Sequence, residues 1–287
     1  MLLARPGAVH LLHGLAQRDA PDGEPPSREV LAARAGELLD AGAVQIGYDE
    51  RAGRIESNLT ATGLALLDFI EYAIAWEAVN LPGHCAGDGR VALMLIGDPN
   101  TMSAMRLLAQ GPLPGRTIAH RPATPGGEWH AALKTLAEYR LVLAQRKGGE
   151  RSYVLAPAAR TLAALPILAL AAQRRRPPTH APARLLESLR QLAPAVRVPA
   201  RLRGDFCLCL PGAPSLCLSA SRGRIQARPH VGASGLAGFA IADFSVWLRV
   251  LLGESWLAGV KASGDLPALT TIITRLAHSI HEPEALC

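Results

Sequence analysis

Residues 38–66 read LLDAGAVQIGYDERAGRIESNLTATGLAL, and residues 136–162 read LAEYRLVLAQRKGGERSYVLAPAARTL. Each begins as the end of a helix, opens a strand at Val44 or Val142 and passes a charged, glycine-bearing turn. Each then closes a second strand at Leu59 or Leu155 and enters a new helix. Self-similarity of this kind guides architecture better than any single residue. The preceding segments extend the unit. Val30 to Leu39 places apolar residues at 30, 31, 35, 38 and 39, and Trp129 to Tyr139 does so at 129, 132, 133, 136 and 137. Both are one-sided helical stripes. Helix, strand, charged turn, strand and helix is the winged-helix arrangement, in which the helix reads DNA and the hairpin flanks it.

A chain of 287 residues and 30.3 kDa calls for two or three domains. Hydrophobic residues make up 49%, enough for several cores, but aromatic residues only 4%. Ala, Leu and Val must therefore fill those cores, and few rings remain to stack single-stranded bases. A net charge of +6, from 30 basic and 24 acidic residues largely interspersed, permits an anionic partner without requiring one. No 18-residue apolar run occurs, and MLLARPGAVHLLHGL lacks a signal-peptide cleavage pattern. We expect a cytoplasmic protein that does not engage the membrane.

The sequence holds no Walker loop, dinucleotide fingerprint, His-Glu-x-x-His helix or Gly-x-Ser-x-Gly elbow. His10 and His13 stand at helical spacing, but two ligands do not make a zinc site. Cys207, Cys209 and Cys217 alternate with Phe or Leu in FCLCL and SLCLS, a pattern of buried strand thiols rather than of a metal cage. Asp49 and Glu50 sit in the first turn beside Arg51 and Arg54, where water denies them the desolvation that acid-base work needs. We therefore expect no metal, no cofactor and no catalytic residue.

After Leu170 the chain runs AAQRRRPPTHAPARL, a composition that reads as a proline-stiffened linker. From Arg201 the period becomes alternating. DFCLCL, SLCLSA, GRIQARPH and GFAIA read as strands, followed by helices near 242–252 and 266–280, the second capped by Asp265.

Two resemblances sharpen these readings. GAVQIGYDERAGRIESNLTATGLALLDFIEYAIAW (42–76) resembles the wing and following helix of HxlR-type regulators, relatives of the MarR group. Shared features are the small-Gly-apolar-Val helix exit, a Tyr early in the wing, the Leu-Thr-x-x-Gly exit and a long helix ending in Trp76. The second copy is similar from GDPNTMSAMRLLAQGPL (97–113) onward, so the likeness spans about residues 27–172. The first copy departs from it: only HLLHGLAQ precedes the reading helix, where the family has two helices. The second copy has room for three, at 100–110, about 116–121 and 127–139. Separately, ADFSVWLRVLLGESWLAGVKASGDLPALTTIITRL (242–276) resembles the end of a sterol-carrier-protein domain, which implies an apolar tunnel between sheet and helices.

The expected architecture is α+β: two tandem winged-helix domains followed by a small α/β sandwich resembling a sterol-carrier-protein domain. The divisions are 1–82, a first and degenerate HxlR-like unit; 88–176, a second; 177–199, a linker; and 200–287, a ligand-binding domain. Charge separates the two copies. Arg28 and Arg34 against Glu29, Glu37 and Asp40 give −1, as do Arg51 and Arg54 against Asp49, Glu50 and Glu56. The second wing, with Arg146, Lys147 and Arg151 against Glu150, gives +2.

These residues imply a ligand-responsive DNA-binding transcriptional regulator that contacts double-stranded DNA through His130, Lys134, Arg146, Lys147 and Arg151. The alternative is a winged-helix scaffold that has lost DNA binding and binds or transforms an apolar small molecule. Candidate ligand residues are Trp76, His84, Trp129 and Tyr139 between the units, or Trp247 and Trp256 in the last domain. Two units in one chain could imitate a homodimer, so monomer and homodimer both fit.

Overall fold

The computed structural model describes residues 8–16, 27–49, 53–83, 88–114, 129–147, 150–173, 177–229, 235–254 and 258–281. The repeat is visible in its hydrogen bonds. Helix α1 (Ala8–Leu15) precedes α2 (Arg28–Asp40), whose first turn is capped by the Ser27 hydroxyl accepting from the Val30 amide. Helix α2 ends in a Schellman turn: the Gly42 amide donates to Leu39 O at 2.9 Å and the Ala43 amide to Leu38 O at 2.8 Å, with Gly42 at φ 68°. Strands β1 (Val44–Asp49) and β2 (Arg54–Leu59) pair from Val44↔Leu59 to Asp49↔Arg54. The Thr60 amide then returns to Ala43 O at 3.0 Å, and α3 (Ala61–Asn80) begins.

The second copy opens with α4 (Arg90–Gly97), α5 (Pro99–Ala109), the short β3 (Leu113–Pro114) and α6 (Trp129–Glu138). It reproduces the same geometry. Arg140 donates to Ala137 O at 3.0 Å and Leu141 to Leu136 O at 2.7 Å, with Arg140 at φ 56° where the first copy has glycine. Strands β4 (Val142–Lys147) and β5 (Glu150–Leu155) pair from Val142↔Leu155, and the Ala156 amide returns to Leu141 O at 3.0 Å. The helix that follows is split into α7 (Pro157–Thr161) and α8 (Ala164–Ala172). Strand β3 adds to β5, giving a three-stranded sheet where the first copy has a two-stranded hairpin.

The two copies lock together through α3. Its Leu67, Ile70, Ala73 and Trp76 are buried against the second copy. The Trp76 indole donates to Thr161 Oγ1 at 2.8 Å and Ala158 O at 3.1 Å, and the Tyr72 hydroxyl donates to Thr161 O at 3.0 Å. Burial pushes the Tyr72 hydroxyl well above the ordinary phenol pKa, so it remains a donor.

Part of the stretch expected as a linker, 177–199, is instead helical. Helix α9 (Ala181–Leu192) buries Leu185, Leu189 and Leu192, and its Pro182 falls in the first turn, where no amide donor is needed. Beyond it, β6 (Gly204–Cys209), β7 (Leu216–Ser221), β8 (Arg224–Pro229), β9 (Gly238–Ile241) and β10 (Lys261–Gly264) form one sheet, ordered β10-β9-β6-β7-β8. Only the β6–β9 pair is parallel. On β9, Gly238 and Ala240 are buried while Phe239 and Ile241 are exposed, so one face carries the helices and the other is open. Helices α10 (Phe244–Leu251) and α11 (Leu266–His281) supply Trp247, Leu248, Ile272 and Leu276 to the covered side. Asp265 caps α11, accepting from the Ala268 amide at 3.0 Å.

The described residues form a mixed α/β structure whose strand pairs are antiparallel apart from one, compatible with the α+β class. Among the described residues no helix is long and apolar enough to cross a membrane.

Candidate functional site

Three helices meet around a cleft of about 370 Å³, each presenting one i, i+3, i+4, i+7 row. Helix α5 contributes Pro99, Met102, Ser103 and Arg106; α8 contributes Pro166, Ala169 and Leu170, with its C-cap Gln173; α9 contributes Arg184, Glu187, Ser188 and Gln191. Other faces of these helices bury Met105, Leu108, Leu168, Leu185 and Leu189. The cleft-facing rows hold Ser103, Ala169 and Ser188 where interdigitating large residues would close the interface, so a space remains.

Its walls are fixed. The Gln191 side chain, only 1% exposed, donates from Nε2 to Ala159 O at 3.1 Å and ties α9 to the second copy. Asp98 caps α5 by accepting from the Asn100 amide at 3.2 Å, the Thr101 amide at 3.0 Å and the Thr101 hydroxyl. Burial works to raise its carboxyl pKa, but these hydrogen bonds outweigh it and hold the group below the ordinary carboxylate value.

The charges in the cleft do not cancel. Glu187 is held at 2.7 Å by Arg190, while Arg106 and Arg184 have no carboxylate partner among the described residues. Two smaller clefts of about 220 Å³ each lie along α3 and share Asp68, Leu168 and His281.

Of the expected ligand residues, Trp76, Trp129, Tyr139 and Trp247 lie away from these three clefts. Trp76 and Trp247 are almost fully buried with their indole donors already used, Trp247 donating to Cys209 O at 3.0 Å. They serve as braces and line none of the three clefts described above. Trp129 and Tyr139 pack half-buried against the core around α6, and His84 and Trp256 lie outside the described residues.

The expected DNA residues lie on α6 and on the second hairpin. His130 and Lys134 are exposed on α6, where Lys134 Nζ stands 4.0 Å from Glu138 Oε1. Arg146 and Arg151 face each other across β4 and β5, both exposed, with the Arg151 guanidinium 5.3 Å from the Tyr153 ring centre. Lys147 lies on β4, its side chain outside the described set. In the first copy Arg34 is paired with Glu37, and the tip at 50–52 is outside the described residues.

Cys207 and Cys217 are buried opposite one another in register, and the Cys207 and Cys209 sulfurs are 3.5 Å apart. Burial, then the neighbouring Cys209, pushes the Cys207 thiol up to about 12, which leaves it protonated and unreactive at neutral pH. His13 is buried with neither ring nitrogen hydrogen-bonded. Among the described residues no group of three ligating side chains could hold a metal.

The residues of the large cleft escaped sequence reasoning. Ser103 and Arg106 interrupt the apolar stripe of MSAMRLL, a detectable signal, but α9 was hidden by its proline- and arginine-rich approach.

No family model matches the chain, and no curated protein does. A solved structure described as UbiJ-SCP2, a ubiquinone synthesis protein, is weakly similar, at 17% identity and a TM-score of 0.28. The alignment covers 34% of this chain and 93% of that one.

Proposed function

We propose that the protein is a small-molecule binder built on two winged-helix units of HxlR type that no longer depend on DNA, joined to a sterol-carrier-like sandwich at 200–287. The first unit occupies 1–82 and the second 88–176. The observation that carries this reading is the helix-walled cleft of about 370 Å³ where α9 docks on the second unit, within the size range of ligand sites. Native mass spectrometry after exposure to cell-extract compounds tests it. The wild-type chain should retain a ligand and Ala169→Phe, which fills the cleft, should not. Equal retention by the two, or none by either, removes the cleft from the reading.

A second reading is favoured by Arg146 and Arg151. Like charges directly opposed across a hairpin repel, and both are solvent-exposed, so an anionic partner at this wing would relieve the repulsion. That partner is double-stranded DNA, with His130, Lys134 and Lys147 alongside and cleft occupancy as the signal the chain reports. Polarisation titrations across salt decide. Each of Arg146→Gln and Arg151→Gln should lower the salt slope by about 1. Binding that is absent at micromolar protein sinks this reading and leaves the first intact.

A further inference from the structure

We infer that the cleft between α5, α8 and α9 takes an amphipathic anion: a ligand with one anionic head and an apolar body of roughly medium-chain or bicyclic size. The inference rests on the ligand-binding reading above and adds the chemical class. Three observations lead to it.

The first is the segregation of the lining. Met102, Ala169 and Leu170 offer apolar surface, whereas Arg106, Arg184 and Ser188 offer donors. Half of the lining residues are polar, so the site offers both an apolar surface for a body and donors that can fix the orientation of a head. The second is the uncompensated charge. Glu187 is the one acid on the lining, and Arg190, only 13% exposed, already holds it at 2.7 Å. Arg106 and Arg184 lie on different helices, α5 and α9, with no acid to meet either among the described residues. Guanidinium groups suit a carboxylate or sulfonate because their planar donors bind its oxygens in pairs.

The third is the placing of that charge. Arg106 is half-buried, with no counterion among the described residues, while Arg184 is exposed at the rim; a bound anion would relieve the partly desolvated charge of Arg106. An anion seated there would also link α5 of the second unit to α9, the helix leading into the sandwich. Occupancy would then fix one part of the chain against the other.

The test compares three probes by calorimetry on the full chain: decanoate, 1-decanol and acetate. Decanoate should bind, decanol should bind at least about tenfold more weakly, and acetate should give no signal, because head and body contribute together. Arg106→Gln and Arg184→Gln should each weaken decanoate about tenfold while leaving decanol unchanged, with thermal melts confirming that both variants fold. Ala169→Phe should abolish decanoate binding.

Decanol binding as tightly as decanoate, lost in Ala169→Phe, overturns the anionic class while keeping the cleft as a ligand site. Failure of both ten-carbon probes overturns the cleft reading as well. Arginine variants that bind decanoate like the wild type overturn the assignment of Arg106 and Arg184 to the head group.

Discussion

A methyl group placed on Gly63 would sit 2.1 Å from the carbonyl oxygen of Ala43. That contact explains the Leu-Thr-x-x-Gly exit of the first hairpin. The Thr60 hydroxyl accepts from the Gly63 amide at 3.2 Å and donates to Gly42 O at 2.6 Å, so one side chain caps α3 and fastens it to the Schellman turn of α2. With the helix held so close to residue 43, only glycine fits at residue 63. The motif is a joint between elements, and it needs no ligand to account for it.

Gly63→Ala should therefore destabilise the first unit by about 3 kcal/mol, because the obstructing atom is backbone and cannot swing away. Urea unfolding followed by far-ultraviolet circular dichroism measures the loss. The equivalent Ala159 already carries a methyl, so Ala159→Gly should cost only about 1 kcal/mol, chiefly in chain entropy and packing.

Arg140 marks the converse case. It occupies the left-handed position that Gly42 fills in the first copy, at φ 56° and with its side chain exposed. Arg140→Gly should raise stability by about 0.5–1 kcal/mol, since relief of the left-handed strain exceeds the entropy that glycine adds to the unfolded chain. The expected record is a higher urea midpoint with an unchanged slope.

How much of this was legible follows from which interactions are local. Val44, Leu59, Val142 and Leu155 mark strand ends correctly, because alternation and a charged turn are properties of neighbouring residues. Asp265 was identifiable as a cap for the same reason. Strand β3 was not, since its two residues become a strand only by meeting Tyr153 and Ser152 about forty positions later. Strand β10 reads Lys-Ala-Ser-Gly, with no hydrophobic alternation, and exists because β9 offers it an open edge. The cleft required three helices to be docked first, and one of them, α9, looked like a linker until Leu185, Leu189 and Leu192 found a surface to bury against.

Asp98 gives a pH signature. Its folded-state pKa lies below the ordinary 3.8, so the carboxylate contributes stability that is fully present above that value and is lost as pH falls through the depressed folded value. Asp98→Ala should cost about 1 kcal/mol at neutral pH by uncapping α5. Asp98→Asn should cost less and show the charge alone: its deficit against the wild type narrows as pH drops below 3.8. Denaturant midpoints taken at successive pH values for the three proteins test the sign.

Glu77 supplies the sharpest test of how the copies are joined. It is fully buried on α3, and its two carboxylate oxygens accept from the Ala92 amide at 2.8 Å and the Gly89 amide at 2.9 Å, at the start of α4. Gly89 is the N-cap of α4 at φ 79° and offers no side chain of its own, so the carboxylate from the first copy does the capping for the second. Glu77→Ala leaves two buried amides without partners and should cost about 3 kcal/mol. Glu77→Gln keeps one acceptor oxygen and should cost about half as much. Hydrogen exchange separates this from a general loss of packing: the Gly89 and Ala92 amides should lose protection first in both variants, while amides in α11 keep theirs until global unfolding. Uniform loss across the chain would mean that Glu77 holds the core as a whole rather than the start of α4.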